Sequence, residues 1–504
     1  DGTVAKLGFT YNLEEGNTEP ADTLFIDHMD LNYGVDNNRQ YPDMMVKDFD
    51  FLSADNAHLL KFFAYKDDEA VAEPTDEELA GLETLRNVYK RTATPNMGQI
   101  RPLATQIRAL NLSRNADGTV QYSTMIDPST ITPDYLLTLS SNVEVLAAGY
   151  VAGNAQVTDI FPLYMDYLLD QGIFYYFSGM TWSNYTSVRG VAAGFLDGMA
   201  AYTDEQKREV CKGIQWIWEV NQAYAPAEVA AVDQSSDYIH LALADAYGSL
   251  IFMPDAAEAV EGARAMTRLL ENFSQYSAGG EDVLKPDGTG FHHNSHYNNY
   301  MYAYENWVLT LHNLIGTPFQ VSEGAYQRLR KAVVSMYLMA SKDASDTHIF
   351  ANSLAGRHPL SGGNEMPFGK SIMSNLVEVG ADILGTEDTE LQSYYNYFMC
   401  EELYPGVQPA YVEGFHQFNY SPVGIYRLGN WVATMRCPTT KFWGAEIYSG
   451  TNRLGRYQSH GTLEIVYDGA LEVSGLPADD GNSGTLETGG WDWNVVPGAT
   501  TVHY

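Results

Sequence analysis

PDGTGFHHNSHYNNYMYAYENW, residues 286–307, carries three histidines (His292, His293, His296) and four tyrosines (Tyr297, Tyr300, Tyr302, Tyr304) within thirteen positions. Pro286-Asp287-Gly288 is a turn signal. From Tyr297 onward no Pro or Gly interrupts the chain before Gly316, so the run predicts a helix. The stretch reads as a histidine-bearing loop entering a helix, with Tyr300 in its first turns. A His and a Tyr placed in this way can share a proton-transfer task. A lone His or Tyr is more often simply packed, but this density of polar rings beside a turn argues for chemistry.

Outward from that stretch, residues 51–415 keep a helical pattern. Ile100, Leu103, Ile107 and Leu110 form an apolar stripe at the 3.6-residue period, as do Leu136, Leu139, Val143 and Leu146, and Tyr326, Leu329, Val333 and Met336. Pro102 is expected in the first turn of its helix, and Pro133-Asp134 opens another. About a dozen helices fit, joined by Gly- and Asn-rich loops, with no sequence repeat of fixed period. So many consecutive amphipathic helices suggest an α/α toroid or a solenoid.

The flanks differ. Residues 1–50 read as strands and loops, Thr23–Asp27 among them, and are expected to end a jelly-roll-like β-sandwich. Asp27 is more simply a polar strand residue than a ligand, although a structural divalent cation there is possible. From about 416 the chain turns β-like, with Trp431–Met435, Phe442–Tyr448 and Thr462–Tyr467 as strand runs and 476–490 as a loop. The fold class is therefore α+β and multidomain: the tail of a sandwich (1–50), an incomplete α/α toroid (51–415), and the start of an antiparallel β-sandwich domain (416–504). The opening Asp1-Gly2-Thr3-Val4 is neither an initiator Met nor a signal peptide, and Thr501–Tyr504 reads as a strand in mid-course. The expectation is a piece of a longer, secreted or periplasmic protein.

At 504 residues the chain exceeds one core. It holds 29 Lys plus Arg against 64 Asp plus Glu, a formal charge of −35. This balance argues against nucleic acid or an anionic membrane as partner. It allows an anionic substrate only where Arg and His cluster in a cleft. No apolar run approaches a membrane span. Cys211, Cys400 and Cys437 lie far apart without a CxxC pattern, so they form neither a zinc site nor a disulfide scaffold.

Three more polar stretches stand out. Gly356-Arg357-His358-Pro359 puts an Arg in a Gly-rich loop, where it can bind a carboxylate or sulfate bidentately. Thr181-Trp182-Ser183-Asn184-Tyr185 pairs a sugar-stacking ring with an amide. Glu446 with Asn452–Gly461, including Arg453, is dense in donors within a β region. The plain alternatives are a surface Arg, a buried Trp beside a helix cap, and a solvated hairpin.

Together PDGTGFHHNSHYNNY (286–300), GRHP (356–359), AEIYSGTNRLGRYQSHG (445–461) and GGWDWNVVPGATT (489–501) resemble polysaccharide lyase family 8, and within it the bacterial chondroitin ABC lyases. LFIDHMDLNYGVDNNRQYPD (24–43) resembles the end of that family's N-terminal sandwich. The resemblance implies a lyase of uronate-containing glycosaminoglycans that needs no cofactor and works as a monomer. Its catalytic quartet falls on His293, Tyr300, Arg357 and Glu446, with His292 and His296 as neighbours able to take the role given to His293. It places Asn184 at the uronate carboxylate, and Trp182, His292, His358 and Arg453 among substrate-binding residues. Chondroitin sulfate is the implied substrate, with hyaluronan and dermatan left open. The family's broad-specificity members carry a further histidine near Asn184 for the iduronate epimer, and 181–190 has none. Two other readings compete: a glycoside hydrolase with paired carboxylates such as Glu305 and Glu365, and a non-catalytic secreted glycan binder.

Overall fold

A computed structural model describes residues 72–473, except 92–95, 128–129, 177–187, 219, 225–234, 277–282, 292–302, 352–353, 355–367, 402, 437–462 and 469. The chain divides into two compact units, residues 1–39 and 40–504, and every described residue belongs to the second. The expected N-terminal sandwich, with Asp27, therefore lies outside the described residues.

The described fold is mixed α and β. Twelve helices of nine residues or more precede one five-stranded antiparallel sheet. In chain order the helices are α1 (Asp76–Val88), α2 (Met97–Ala109), α3 (Pro133–Val151), α4 (Phe161–Asp170), α5 (Val188–Asp197), α6 (Asp204–Ile217), α7 (Leu243–Ile251), α8 (Ala256–Phe273), α9 (Ala303–Asn313), α10 (Glu323–Leu338), α11 (Ser371–Leu384) and α12 (Thr389–Phe398). The stripes in α3 and α10 are buried along their length, which is what anchors helices whose intrinsic stability is marginal. Local chemistry sets the helix starts. Thr75 and Glu78 close a capping box on α1, and Thr132 caps α3 with Pro133 in its first turn. Pro102 departs from expectation. It sits well inside α2, because the helix begins at Met97. A proline there leaves the Gly98 carbonyl without its usual partner, and Gly98 is exposed, so water can satisfy it.

Three small hairpins interrupt the helices, each in a helix-to-helix connection: Ser113–Gln121, Val283–Phe291 and Ser341–Ile349. Their strand pairs are β1 (Ser113–Arg114) with β2 (Val120–Gln121), β3 (Val283–Leu284) with β4 (Gly290–Phe291), and β5 (Ser341–Lys342) with β6 (His348–Ile349). All three close alike. Asn115, Lys285 and Asp343 donate their N–H to the carbonyls of Thr119, Thr289 and Thr347. A left-handed residue follows in each turn: Gly118, Gly288 and Asp346. An aspartate carboxylate also accepts from turn amides in each, Asp117, Asp287 and Asp343 respectively. This recurrence has no fixed sequence spacing, and two-residue strands carry no periodicity to reveal it.

The sheet comprises β7 (Gly414–Phe418), β8 (Val423–Leu428), β9 (Trp431–Arg436), β10 (Leu463–Tyr467) and β11 (Ala470–Val473), ordered β11-β10-β9-β8-β7. The predicted strand runs at 431–435 and 462–467 coincide with β9 and β10, whereas 442–448 and 476–490 lie outside the described residues. Two turns of the sheet grip the hairpins. Tyr420 donates its N–H to Asp287 at 2.8 Å, and Asn430 exchanges two hydrogen bonds with the Lys342 backbone at 2.8 and 2.7 Å. Between them Arg427 enters the helical layer fully buried. Its Nη1 donates to the Tyr337, Leu338 and Ala340 carbonyls at 3.2, 2.9 and 2.8 Å, capping the end of α10. Its guanidinium lies over the rings of Phe398 and Tyr397. The cation thus meets a helix C-terminus and two ring faces.

Candidate active site

None of the predicted site residues falls among the described ones: His292, His293, His296, Tyr300, Arg357, His358, Glu446, Arg453, Asn184 and Trp182 all lie in the intervals left out. Glu365 is also outside them, while Glu305 is exposed on the first turn of α9. The structure instead defines the stems from which these stretches depart.

The stem before His292 is the β3–β4 hairpin. Leu284, Lys285 and Thr289 are fully buried. Asp287 Oδ1 accepts from the Thr289 N–H at 3.0 Å and the Thr289 hydroxyl at 2.7 Å, while its Oδ2 takes the Tyr420 amide. Lys331 of α10 donates to the Pro286 carbonyl. Gly288 has φ +91°, and a Cβ there would stand 2.3 Å from Ser335 Oγ and 3.1 Å from the Lys331 carbonyl. Only glycine meets both constraints. Beyond the interval, α9 begins at Ala303 with Ala303, Tyr304 and Trp307 buried. Asn306 ties α9 to the His240 carbonyl at 2.6 Å, in a π-helical turn, Tyr238–Ala242, that leads into α7. Such turns often accompany functional sites.

The stem of the Arg357 interval is closed at its base. His348 and Phe368 exchange backbone hydrogen bonds, at 2.9 Å from the His348 N–H and 3.2 Å from the Phe368 N–H. Their rings stack at 5.4 Å and Tyr337 meets both edge-on. His348 Nε2 lies 3.3 Å from the Phe398 carbonyl. Burial, with Arg427 and Lys342 nearby, holds the imidazole down to about 4. Sequence reasoning missed His348 and Arg427. Their partners Phe398 and Ala340 lie 50 and 87 residues away, and no local pattern announces them.

Glu446 and Arg453 belong to the connection between β9 and β10, whose ends are fixed by pairing of Met435 with Leu463 and Thr434 with Glu464. Asn184 and Trp182 precede α5. That helix packs closely on α3: Ser140 Oγ donates to the Val191 carbonyl at 2.7 Å, and a Cβ on Gly194 would stand 2.3 Å from Ser140 Oγ. The His292–Tyr300, Arg357 and Glu446 stretches thus each leave from and return to anchored backbone, the arrangement that lets loops carry chemistry on a rigid scaffold. Among the described residues no group of three His, Cys, Asp or Glu could hold a metal, and no helix is long and apolar enough to cross a membrane. Cys211 is buried and Cys400 exposed.

The family described as "Lyase, catalytic" matches residues 144–395, an interval that includes Asn184, His293, Tyr300 and Arg357. The chain is 27% identical over 365 residues to the chondroitin sulfate ABC endolyase of Proteus vulgaris, covering 69% of this chain and 33% of that one. It is 26% identical over 376 residues to the chondroitin sulfate ABC exolyase of Bacteroides thetaiotaomicron, covering 67% and 35%. These alignments span about a third of the length of both relatives. The fold resembles the Streptomyces coelicolor chondroitin AC lyase solved in complex with chondroitin sulphate. That likeness has a TM-score of 0.50 at 13% identity and covers 84% of this chain and 61% of that one.

Proposed function

The chain belongs to the lyase catalytic-domain family, and on that premise we propose that it cleaves uronate-containing glycosaminoglycans of the chondroitin type by β-elimination on an α/α toroid. The observation that carries this reading is that the polar stretches holding Asn184, His293 with Tyr300, and Arg357 fall inside the interval matched by that family. The names of the relatives point to chondroitin sulfate as the substrate class.

The elimination removes the proton at C5 of a uronate and expels the oxygen at C4, leaving a double bond between them. That proton is weakly acidic until the adjacent carboxylate is neutralised, so donors aimed at the carboxylate supply the main stabilisation. Asn184 and His293 take that role. Tyr300 removes the proton and returns one to the departing oxygen. A phenol has an ordinary pKa of about 10, so it needs cationic neighbours to act as a base near neutrality. Arg357 and His293 provide that field, and Glu446 orients Arg357. Trp182, His292, His358 and Arg453 contact the flanking sugars and their charges. The scheme requires no metal or organic cofactor.

Ultraviolet absorbance tests the reaction class. Mixing the protein with chondroitin sulfate is expected to produce a steady rise from the unsaturated uronate, and dermatan sulfate in a parallel cuvette reads the effect of the missing histidine near Asn184. New reducing ends without absorbance would instead indicate a hydrolase.

A further inference from the structure

His348 stands at the base of the connection that carries Arg357. It supplies half of the backbone bridge to Phe368, and its ring fills the space between Tyr337, Phe368 and the end of α12. The ring is fully buried, and its hydrogen bonding fixes its form. Nε2 faces the Phe398 carbonyl, so Nε2 carries the proton and donates it. Nδ1 has no hydrogen-bond partner among the described residues.

Burial and two nearby cations disfavour a second proton, and together they outweigh the Phe398 and Phe368 backbone groups, which favour one. From β8 the buried Arg427 guanidinium faces it, and from β5 the Lys342 ammonium. Lys342 is already engaged by the Met399 carbonyl and by Asp346 at 2.8 Å. The nearby carboxylate of Asp343 is turned into its own hairpin, where it accepts from the Ser345 and Thr347 amides. Lys370, just after Phe368, pairs with Glu401 at 3.1 Å. From α10 and α12 the ring meets only Tyr337 and the Phe398 carbonyl. A proton on Nδ1 would charge a buried ring beside Arg427 and Lys342, while the Asp343 carboxylate is already engaged by its own turn amides.

We propose that His348 is a positioning residue whose neutral imidazole keeps the base of the Arg357 connection closed, and whose protonation opens that base and thereby lowers turnover at acid pH. For its catalytic consequence the inference rests on the lyase reading. The closure itself does not. Closure is favoured while the imidazole stays neutral, and it is lost as pH falls from the ordinary histidine value of 6.5 towards about 4.

Hydrogen–deuterium exchange of peptides covering His348 and Phe368, corrected for the intrinsic pH dependence of exchange, tests this on the whole protein. In the wild type, protection at these amides is expected to fall about thirtyfold between pH 6.5 and pH 4.5, while peptides from α9 change little. In H348F, which keeps a ring and cannot titrate, protection should be flat across that range. The acid limb of kcat on chondroitin sulfate should also move to lower pH. H348Q, whose amide can still donate to the Phe398 carbonyl, serves if H348F does not fold. Constant protection in the wild type, or an equal fall in the variant, would overturn the proposal. Absence of any lyase activity would defeat the catalytic reading alone, because the exchange result is read without substrate.

Discussion

Two of the hairpins make an instructive pair. Ser113–Gln121 and Val283–Phe291 share Asp-Gly-Thr in the turn and the same backbone closure, and an aspartate in each accepts from the following threonine's amide and hydroxyl. Their surroundings are opposite. The first is exposed, held by Arg114 to Asp166 and to its own Gly118 carbonyl, with nothing near Gly118. The second is buried, clamped by Lys331 and Ser335 of α10 and by the Tyr420 amide. The same local sequence therefore specifies the same turn, and tertiary packing decides how firmly it is held. The clamped copy is the one that hands the chain directly to His292–Tyr300.

The comparison breaks most sharply at the turn glycines. Gly288→Ala should destabilise by about 3 kcal/mol or more in urea denaturation, because left-handed strain adds to a collision that includes the Lys331 backbone. Asp287→Ala follows at about 2 kcal/mol, since it strands the buried Thr289 hydroxyl and releases the Tyr420 amide. Gly118→Ala should cost only about 1 kcal/mol, from backbone strain alone. Equal losses at Gly288 and Gly118 would mean that the clamps on the second hairpin contribute nothing.

Much of the architecture was legible in the sequence because burial leaves a period. The stripes at Leu136–Leu146 and Tyr326–Met336 needed only the 3.6-residue repeat. The turn at Pro286-Asp287-Gly288 was legible, but the hairpins as such were not, since two-residue strands have no pattern and Asp346 stands where the other copies have glycine. Nor was the junction of sheet and helices. It depends on Arg427, and an arginine in a strand reads as solvent-facing until its three carbonyl partners at the end of α10 and just beyond it are known. Pro102 was misread because an exposed Gly98 carbonyl lets a proline sit deeper in the helix than the first turn. The candidate site was inferred from chemistry and family likeness rather than geometry, from ring-rich and Arg-bearing stretches whose residues lie outside the described ones.

The most direct test of the account is Tyr300→Phe, assayed for turnover by ultraviolet absorbance and for affinity by titration with chondroitin sulfate. The variant should lose nearly all formation of unsaturated product and bind the polysaccharide as the parent does, because the phenol acts in the transition state rather than in binding. Turnover near the parent's in Tyr300→Phe would contradict the assignment of Tyr300 as the proton-transferring residue.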